Sequence, residues 1–350
     1  MKEGAIDSWN TALAGLTAVV VAAAISALIS LFARPIGSWL GVLDVPDGGR
    51  KIHPAITPLA GGMAIGLPTL MALFIGALAT SFLPLYLAIA ASGLACFLLG
   101  LLDDRANIRP IYRLLLSILL ALAVLEVVPA LKVTFLRFSF LDQVLFLEQF
   151  ALIFTAICIV GLQNAINMAD GKNGIVIGLC LFWCLELLLF APDHMRPVLF
   201  ALGAALVVAL GFNLRGRMFL GDSGSYSLSF IIAMLTVYVY DIVFTALPAD
   251  LIVLWFLIPV VDCLRVMSAR AARGHSPFAS DRGHLHHILY RRLPWRWGLL
   301  VYLGLAGVPG LLASFAPHTT LAWGIASLCC YGVIIAWPQD RTQIADDAAK

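Results

Sequence analysis

Charge is scarce in this chain. Only 12% of its 350 residues are Asp, Glu, Lys or Arg, about half the share carried by an ordinary soluble domain, and that shortage excludes a water-soluble globular fold. Nor is there a long polar stretch to form an appended soluble domain: the longest segment free of a membrane-length apolar run is 265–297. Internal repeats and Pro-, Ser- or Gly-rich linkers are absent, so the chain reads as one domain over 1–350. With a net charge of +2 and no basic tail, it offers nothing for a nucleic acid to bind. The seven cysteines all fall inside apolar runs, where they read as small soft hydrophobes rather than disulfides or metal ligands. The opening MKEGAIDSW has one Lys and no small-residue cleavage site, so the first apolar run is expected to stay as a helix.

What the chain has instead is hydrocarbon. Apolar runs of roughly 20 residues, enough to cross ~30 Å of bilayer core, lie at 11–33, 59–80, 83–101, 111–128, 150–166, 174–191, 197–212, 225–246, 249–267, 298–315 and 320–337. The expected architecture is an all-α polytopic membrane protein of eleven spans. KVTFLRFSF (132–140) alternates as a strand does and predicts a short outer hairpin between the fourth and fifth spans. Of 22 Lys and Arg, 18 fall after odd-numbered spans or in the tail; only Lys2, Lys132, Arg137 and Arg196 do not. The positive-inside rule then predicts an outer N-terminus and a cytoplasmic C-terminus.

The same cytoplasmic face collects the reactive side chains, because all five motif-bearing breaks follow odd-numbered spans. Asp103 and Asp104 end a Leu-rich run, and each would cost ~2.5 to 3.5 kcal/mol at the bilayer centre. They are expected at the interface, holding a divalent cation or accepting a proton. Asn164, Asn167, Asp170 and Asn173 recur every three residues, one polar stripe if the helix continues through them. FLGDSGS (219–225) sets Asp222 between glycines at the start of a span, either as a helix cap or as a carboxylate open to phosphate or metal. In RAARGHSPFASDRGHLHHIL (270–289), Arg282, His284, His286 and His287 suit a phosphate or a sugar hydroxyl. Zinc and an anionic lipid surface are the other readings of that stretch. Arg50, Lys51 and His53 offer a second anion site in the first loop.

In this order, RKIHPAITPLAGG, LLDDR, NAINMADGKNG, FLGDSGS and SPFASDRGHLHH resemble the signatures of the polyprenyl-phosphate N-acetylhexosamine-1-phosphate transferase family. The likeness is to the WecA/TagO-like branch, which initiates O-antigen, enterobacterial common antigen and teichoic-acid linkage synthesis. It implies an enzyme of the bacterial inner membrane that passes a sugar-1-phosphate from a UDP-sugar to undecaprenyl phosphate, releases UMP, needs Mg²⁺ (or Mn²⁺) and forms a homodimer among membrane lipids. The resemblance assigns Asp103, Asp104 and Asp170 to catalysis and Asp222 with Asn167 to the metal. Substrate contacts fall to Lys51, His53, Asn164, Asn167, Asn173, Arg282, His284, His286 and His287. One position departs from the family pattern: many members carry Asp where this chain has Asn173, which removes a charge there. A transporter of a nucleotide-sugar or polyprenyl lipid is the alternative, and would set its polar groups near the bilayer midplane.

Overall fold

The computed structural model describes residues 2–46, 55–278 and 282–337, with side chains from Leu13 onward. In chain order the elements are α1 (Lys2–Leu31), α2 (Ala33–Leu40), β1 (Leu43–Asp44), β2 (Thr57–Pro58), α3 (Gly61–Ala79), α4 (Leu83–Ala106), α5 (Pro110–Val127), β3 (Phe135–Arg137) and β4 (Val144–Phe146). There follow α6 (Ala151–Ala169), α7 (Ile175–Phe190), α8 (Arg196–Leu214), α9 (Gly221–Val243), α10 (Ala249–Ala272), α11 (Leu285–Arg292), α12 (Trp295–Phe315) and α13 (Thr320–Ala336).

Among the described residues ten helices are long and apolar enough to cross a membrane, which makes this an all-α polytopic membrane protein. Each of the eleven expected runs coincides with a helix, but α7 has only 16 residues, about 24 Å at 1.5 Å per residue. Helix ends differ from the apolar runs for one reason: a helix leaving the hydrocarbon continues without needing apolar side chains. Thus α4 extends through Asp103 and Asp104 to Ala106, and α9 starts at Gly221, four residues before its apolar run. Two eight-residue helices, α2 and α11, are too short to register as spans. The expected hairpin is present, β3 pairing antiparallel with β4 from Phe135↔Phe146 to Arg137↔Val144. It is fastened by Asp250, whose carboxylate accepts from the Ser139 amide at 2.7 Å and its hydroxyl at 2.5 Å.

The bundle is organised around α9, which packs against α3, α4, α6 and α7. Every residue from Ser223 to Tyr240 is buried. Its hydroxyls tolerate that interior by bonding back along the helix: Ser227 to the Ser223 carbonyl at 2.6 Å, Ser229 to Ser225 at 2.5 Å and Thr236 to Ile232 at 2.7 Å. Small residues allow the close crossing with α4. A Cβ on Gly93 would lie 2.7 Å from Ile231, and one on Gly100 would lie 2.2 Å from the Asp222 carbonyl oxygen. Outer helices turn large apolar side chains outward, including Leu28 on α1, Leu119 on α5 and Val333 on α13.

Candidate active site at the motif end of the bundle

The close approach at Gly100 decides what Asp104, one turn further along α4, can reach. Asp104 accepts the amides of Asp222 at 2.7 Å and Ser223 at 3.0 Å, so the acidic residue that caps α9 comes from another helix. Gly221, with φ at +76°, makes the turn into α9. Asp222 therefore lies in the first turn of α9 and is not its cap; its own carboxylate is released into the site, one-third exposed. Asp103 faces the other way. It is 1% exposed, accepts the Ile108 amide at 2.7 Å and forms a tight ion pair with Arg113 of α5. The same guanidinium reaches Asp222 at 3.5 Å.

From α6, Asn167 donates to Asp222 at 2.7 Å and to the Ser225 hydroxyl at 3.0 Å. The polar stripe ends there, because α6 stops at Ala169. Gly171 lies so close to His286 that a Cβ would fall 2.1 Å from the imidazole, and Gly174 turns the chain with φ at +91°. Asp170 caps the helix and Asn173 sits in the turn. Asn164, one turn deeper, bonds to the Val160 carbonyl of its own helix at 2.8 Å. Burial, together with the charge of Asp104, pushes the Asp170 carboxyl up to about 7. The turn closes on Asn213 of α8, which accepts the Gly174 amide at 2.7 Å, so α7 and α8 form a hairpin returning to the same end.

The histidine segment lies against this turn, but its three imidazoles have different surroundings. His284 is buried, with Nδ1 at 2.8 Å from Asp262 and Nε2 facing Arg270 at 3.4 Å. His286 is 1% exposed, and neither ring nitrogen has a partner among the described residues. His287 is half-buried; burial, then His284, Lys172, Arg291 and Arg282, hold it down at about 4. Lys172 rests its ammonium 3.5 Å above the Tyr290 ring of α11. Burial and the positive charge of Arg282 nearby lower its pKa.

The first loop docks on the same region. The Gly61 and Gly62 amides donate to the Phe219 and Leu220 carbonyls, both at 2.9 Å, and β1 pairs with β2 at Leu43↔Pro58. Lys51 and His53 fall outside the described residues. The structure thus gathers Asp103, Asp104, Asn167 and Asp222 into one network, with Asp170 and the histidine segment beside it. Arg113, Lys172, Asn213 and Asp262 are partners that sequence reasoning missed. Arg113 had a signal in the carboxylate pair ten residues before it; the other three had none until the turns were placed.

Four carboxylates with one guanidinium among them leave negative charge that a cation would offset. Asp103 and Asp104 are occupied by Arg113 and by backbone amides, which leaves Asp170 and the partly exposed Asp222 carboxylate, held by Asn167 at 2.7 Å and by Arg113 at 3.5 Å, as the carboxylates within reach of a metal. Such a hard, sparse donor set suits Mg²⁺, which binds one or two carboxylates and takes its remaining ligands from water and substrate phosphates. Among the described residues no three His, Cys, Asp or Glu form a closed metal cage.

A family model described as glycosyl transferase family 4 matches residues 86–240, from α4 to α9. An undecaprenyl-phosphate alpha-N-acetylglucosaminyl 1-phosphate transferase of Yersinia pestis is 31% identical over 326 residues, covering 87% of each chain. A probable undecaprenyl-phosphate N-acetylglucosaminyl 1-phosphate transferase of Bacillus subtilis is 27% identical over 282 residues, 77% of each. A decaprenyl-phosphate N-acetylglucosaminephosphotransferase of Mycobacterium leprae is 27% identical over 379 residues, spanning 96% of this chain and 92% of that one.

Proposed function

The chain belongs to glycosyl transferase family 4 and transfers an N-acetylhexosamine-1-phosphate to a polyprenyl phosphate, and from that premise we propose how its residues divide the work. The donor is a UDP-sugar, UDP-N-acetylglucosamine first, and the acceptor is undecaprenyl phosphate. The observation that carries this reading is the Asp222 carboxylate. It is one-third exposed and oriented by residues of three other helices, Asp104, Arg113 and Asn167. A group so restrained on a helix N-terminus is pre-organised, which is what phosphoryl transfer asks of a protein.

An oxygen of the lipid phosphate attacks the sugar-bearing phosphorus of the donor, the bond to the bridging oxygen breaks, and UMP leaves. A phosphate monoester has its second pKa near ~6, so the acceptor is already mostly dianionic at neutral pH and needs little help from a base. Repulsion between the two phosphates is the larger obstacle. Bound Mg²⁺, held by Asp222 and Asp170 with Asn167 beside them, would supply charge neutralisation on the phosphates. Lys172, Arg282 and His287 face the donor from the other side of the Asp170 turn, and Arg113 keeps Asp103 and Asp222 apart as ion-paired neighbours. Attack is direct, without a covalent aspartyl intermediate. The motif end faces the cytoplasm of a bacterial inner membrane, where UDP-sugars are found. All the helices but α2 and α11 cross, since the α7 and α8 hairpin must return Asp222 to the side of Asn167, and a cytoplasmic motif end then puts the N-terminus outside.

The test is purified protein with undecaprenyl phosphate, Mg²⁺ and a panel of UDP-sugars, reading UMP and the lipid product. UMP release that depends on both lipid and Mg²⁺ is expected. Sugar movement across vesicles without UMP would refute the assignment in favour of transport.

A further inference from the structure

Asp262 belongs to none of the motifs, yet it is the most heavily bonded carboxylate of the described residues. It lies in α10 and is 3% exposed. It accepts from His284 Nδ1 at 2.8 Å, Arg265 Nη2 at 2.7 Å, the Tyr331 hydroxyl at 2.8 Å and the Leu285 amide at 3.1 Å. Three helices meet on it: α10 carries it, α13 supplies Tyr331, and α11 begins at Leu285. The last contact caps α11 from outside, as Asp104 caps α9. Since the Asp262 carboxylate can only accept, His284 carries a proton on Nδ1 that points at it, while Arg270 approaches the other ring nitrogen at 3.4 Å.

The helix that Asp262 anchors is the one that touches the Asp170 turn. Its His286 ring packs on Gly171, and its Tyr290 lies under the Lys172 ammonium. Just beyond its end, the Trp295 indole donates to the Asn173 carbonyl at 2.9 Å. Three successive residues of the turn are thus each matched by one residue from α11 or the start of α12. Arg265 ties the same hub to the loop before α11 by donating to the Gly283 carbonyl at 2.6 Å.

We infer that Asp262 is a positioning residue for the donor side of the reaction, setting through His284 and α11 where the 170–173 turn and its cations stand. It touches no substrate. Its effect falls on donor binding, because the groups that α11 carries or presses on, Lys172, His286 and His287, lie on the side assigned to the UDP-sugar. This rests on the proposed function above, so its test must fail separately.

Steady-state kinetics of UMP release are measured for the full-length wild type, Asp262→Asn, Tyr331→Phe, His284→Asn and the Asp262/His284 double variant, varying each substrate in turn. Asp262→Asn removes the charge that Arg265 and His284 share, and its KM for the UDP-sugar should rise about tenfold or more, one lost charged hydrogen bond. The KM for undecaprenyl phosphate should stay within about twofold. Tyr331→Phe removes the hydroxyl that donates to Asp262 and accepts from Arg265 Nε at 2.6 Å but leaves the Asp262 charge in place; it should raise donor KM about two- to threefold without loss of folding, so it carries the test if Asp262→Asn is not recovered folded. The double variant should be no worse than the worse single one, since the two residues act in series. Unchanged donor KM in Tyr331→Phe and in folded Asp262→Asn, equal rises for both substrates, or multiplicative effects in the double variant would each overturn the inference. Failure of the wild type itself to release UMP would instead overturn the function on which it rests.

Discussion

Gly100→Ala tests the site at its tightest point. The added methyl would fall 2.2 Å from the Asp222 carbonyl oxygen, 2.4 Å from its carbonyl carbon and 2.5 Å from the Ser223 Cα, all backbone atoms of the first turn of α9. No side-chain rotation can relieve such contacts. To reach the 3.4 Å of ordinary van der Waals contact, α9 must retreat from α4 by about 1.2 Å. The displaced atoms belong to Asp222 itself and to the amides that Asp104 caps at 2.7 and 3.0 Å, so carboxylate and cap are pulled apart together. A misplacement of about 1 Å costs roughly 10²-fold in rate, while overpacking costs about 1 to 3 kcal/mol of stability, an amount a large bundle survives. Purified Gly100→Ala should therefore be folded, judged by helicity and monodispersity in detergent, with kcat for UMP release down by about 100-fold. Gly93→Ala, two turns deeper in the same interface, is the control. Its methyl would meet the Ile231 side chain, which can move, so the loss of activity should be much smaller. A folded Gly100→Ala enzyme within about threefold of wild-type kcat would refute the claim that this helix crossing sets the catalytic geometry.

Asp222→Asn should purify normally and lose at least about 100-fold in turnover, because a partly exposed carboxylate adds little to the fold; near-normal activity would remove Asp222 from the site. Asp104→Asn should do more harm to stability, costing about 1 kcal/mol in a thermal melt, since one of the two α9 amides loses its charged acceptor. The Asp170 carboxyl, held up at about 7 against an ordinary 3.8, favours folding below 3.8, and that advantage is lost as pH rises through 7. The melting temperature of EDTA-treated protein should accordingly fall between pH 5 and pH 8 more steeply for wild type than for Asp170→Asn, and equal slopes would contradict the assignment. For topology, with native cysteines removed, a cysteine at Ser276 should be protected from impermeant reagent in intact cells and one at Ser139 labelled; the opposite pattern would invert the orientation.

The helices were legible in the sequence because twenty apolar residues have few other uses, and β3 with β4 because alternation survives in nine residues. The site was legible only as a set of segments. Nothing in LLDDR says that one Asp is locked to an arginine ten residues on while its neighbour finishes a helix 118 residues away. That division depends on which face of α4 meets α9, and so on Gly100. The stripe through Asn164, Asn167, Asp170 and Asn173 was read on a helical period, but Gly171 and Gly174 end the helix inside it, and the packing that requires Gly171 comes from His286. The three histidines looked equivalent by spacing; their partners, on α10 and in the Asp170 turn, separate them.

The cap that Asp104 places on α9 also bears on the order in which the protein is built. Synthesis runs from the N-terminus, so α4 is already inserted when Gly221 leaves the ribosome, and its carboxylate waits for amides that do not yet exist. Conversely, α9 is made with a polar, glycine-rich start and hydroxyls at Ser223, Ser225, Ser227 and Ser229, a poor candidate for resting alone in lipid. Its polar start is completed only by packing against α3, α4, α6 and α7, all of them made before it. The contact that finishes the assembly of α9 is thus the same one that sets Asp222 in place.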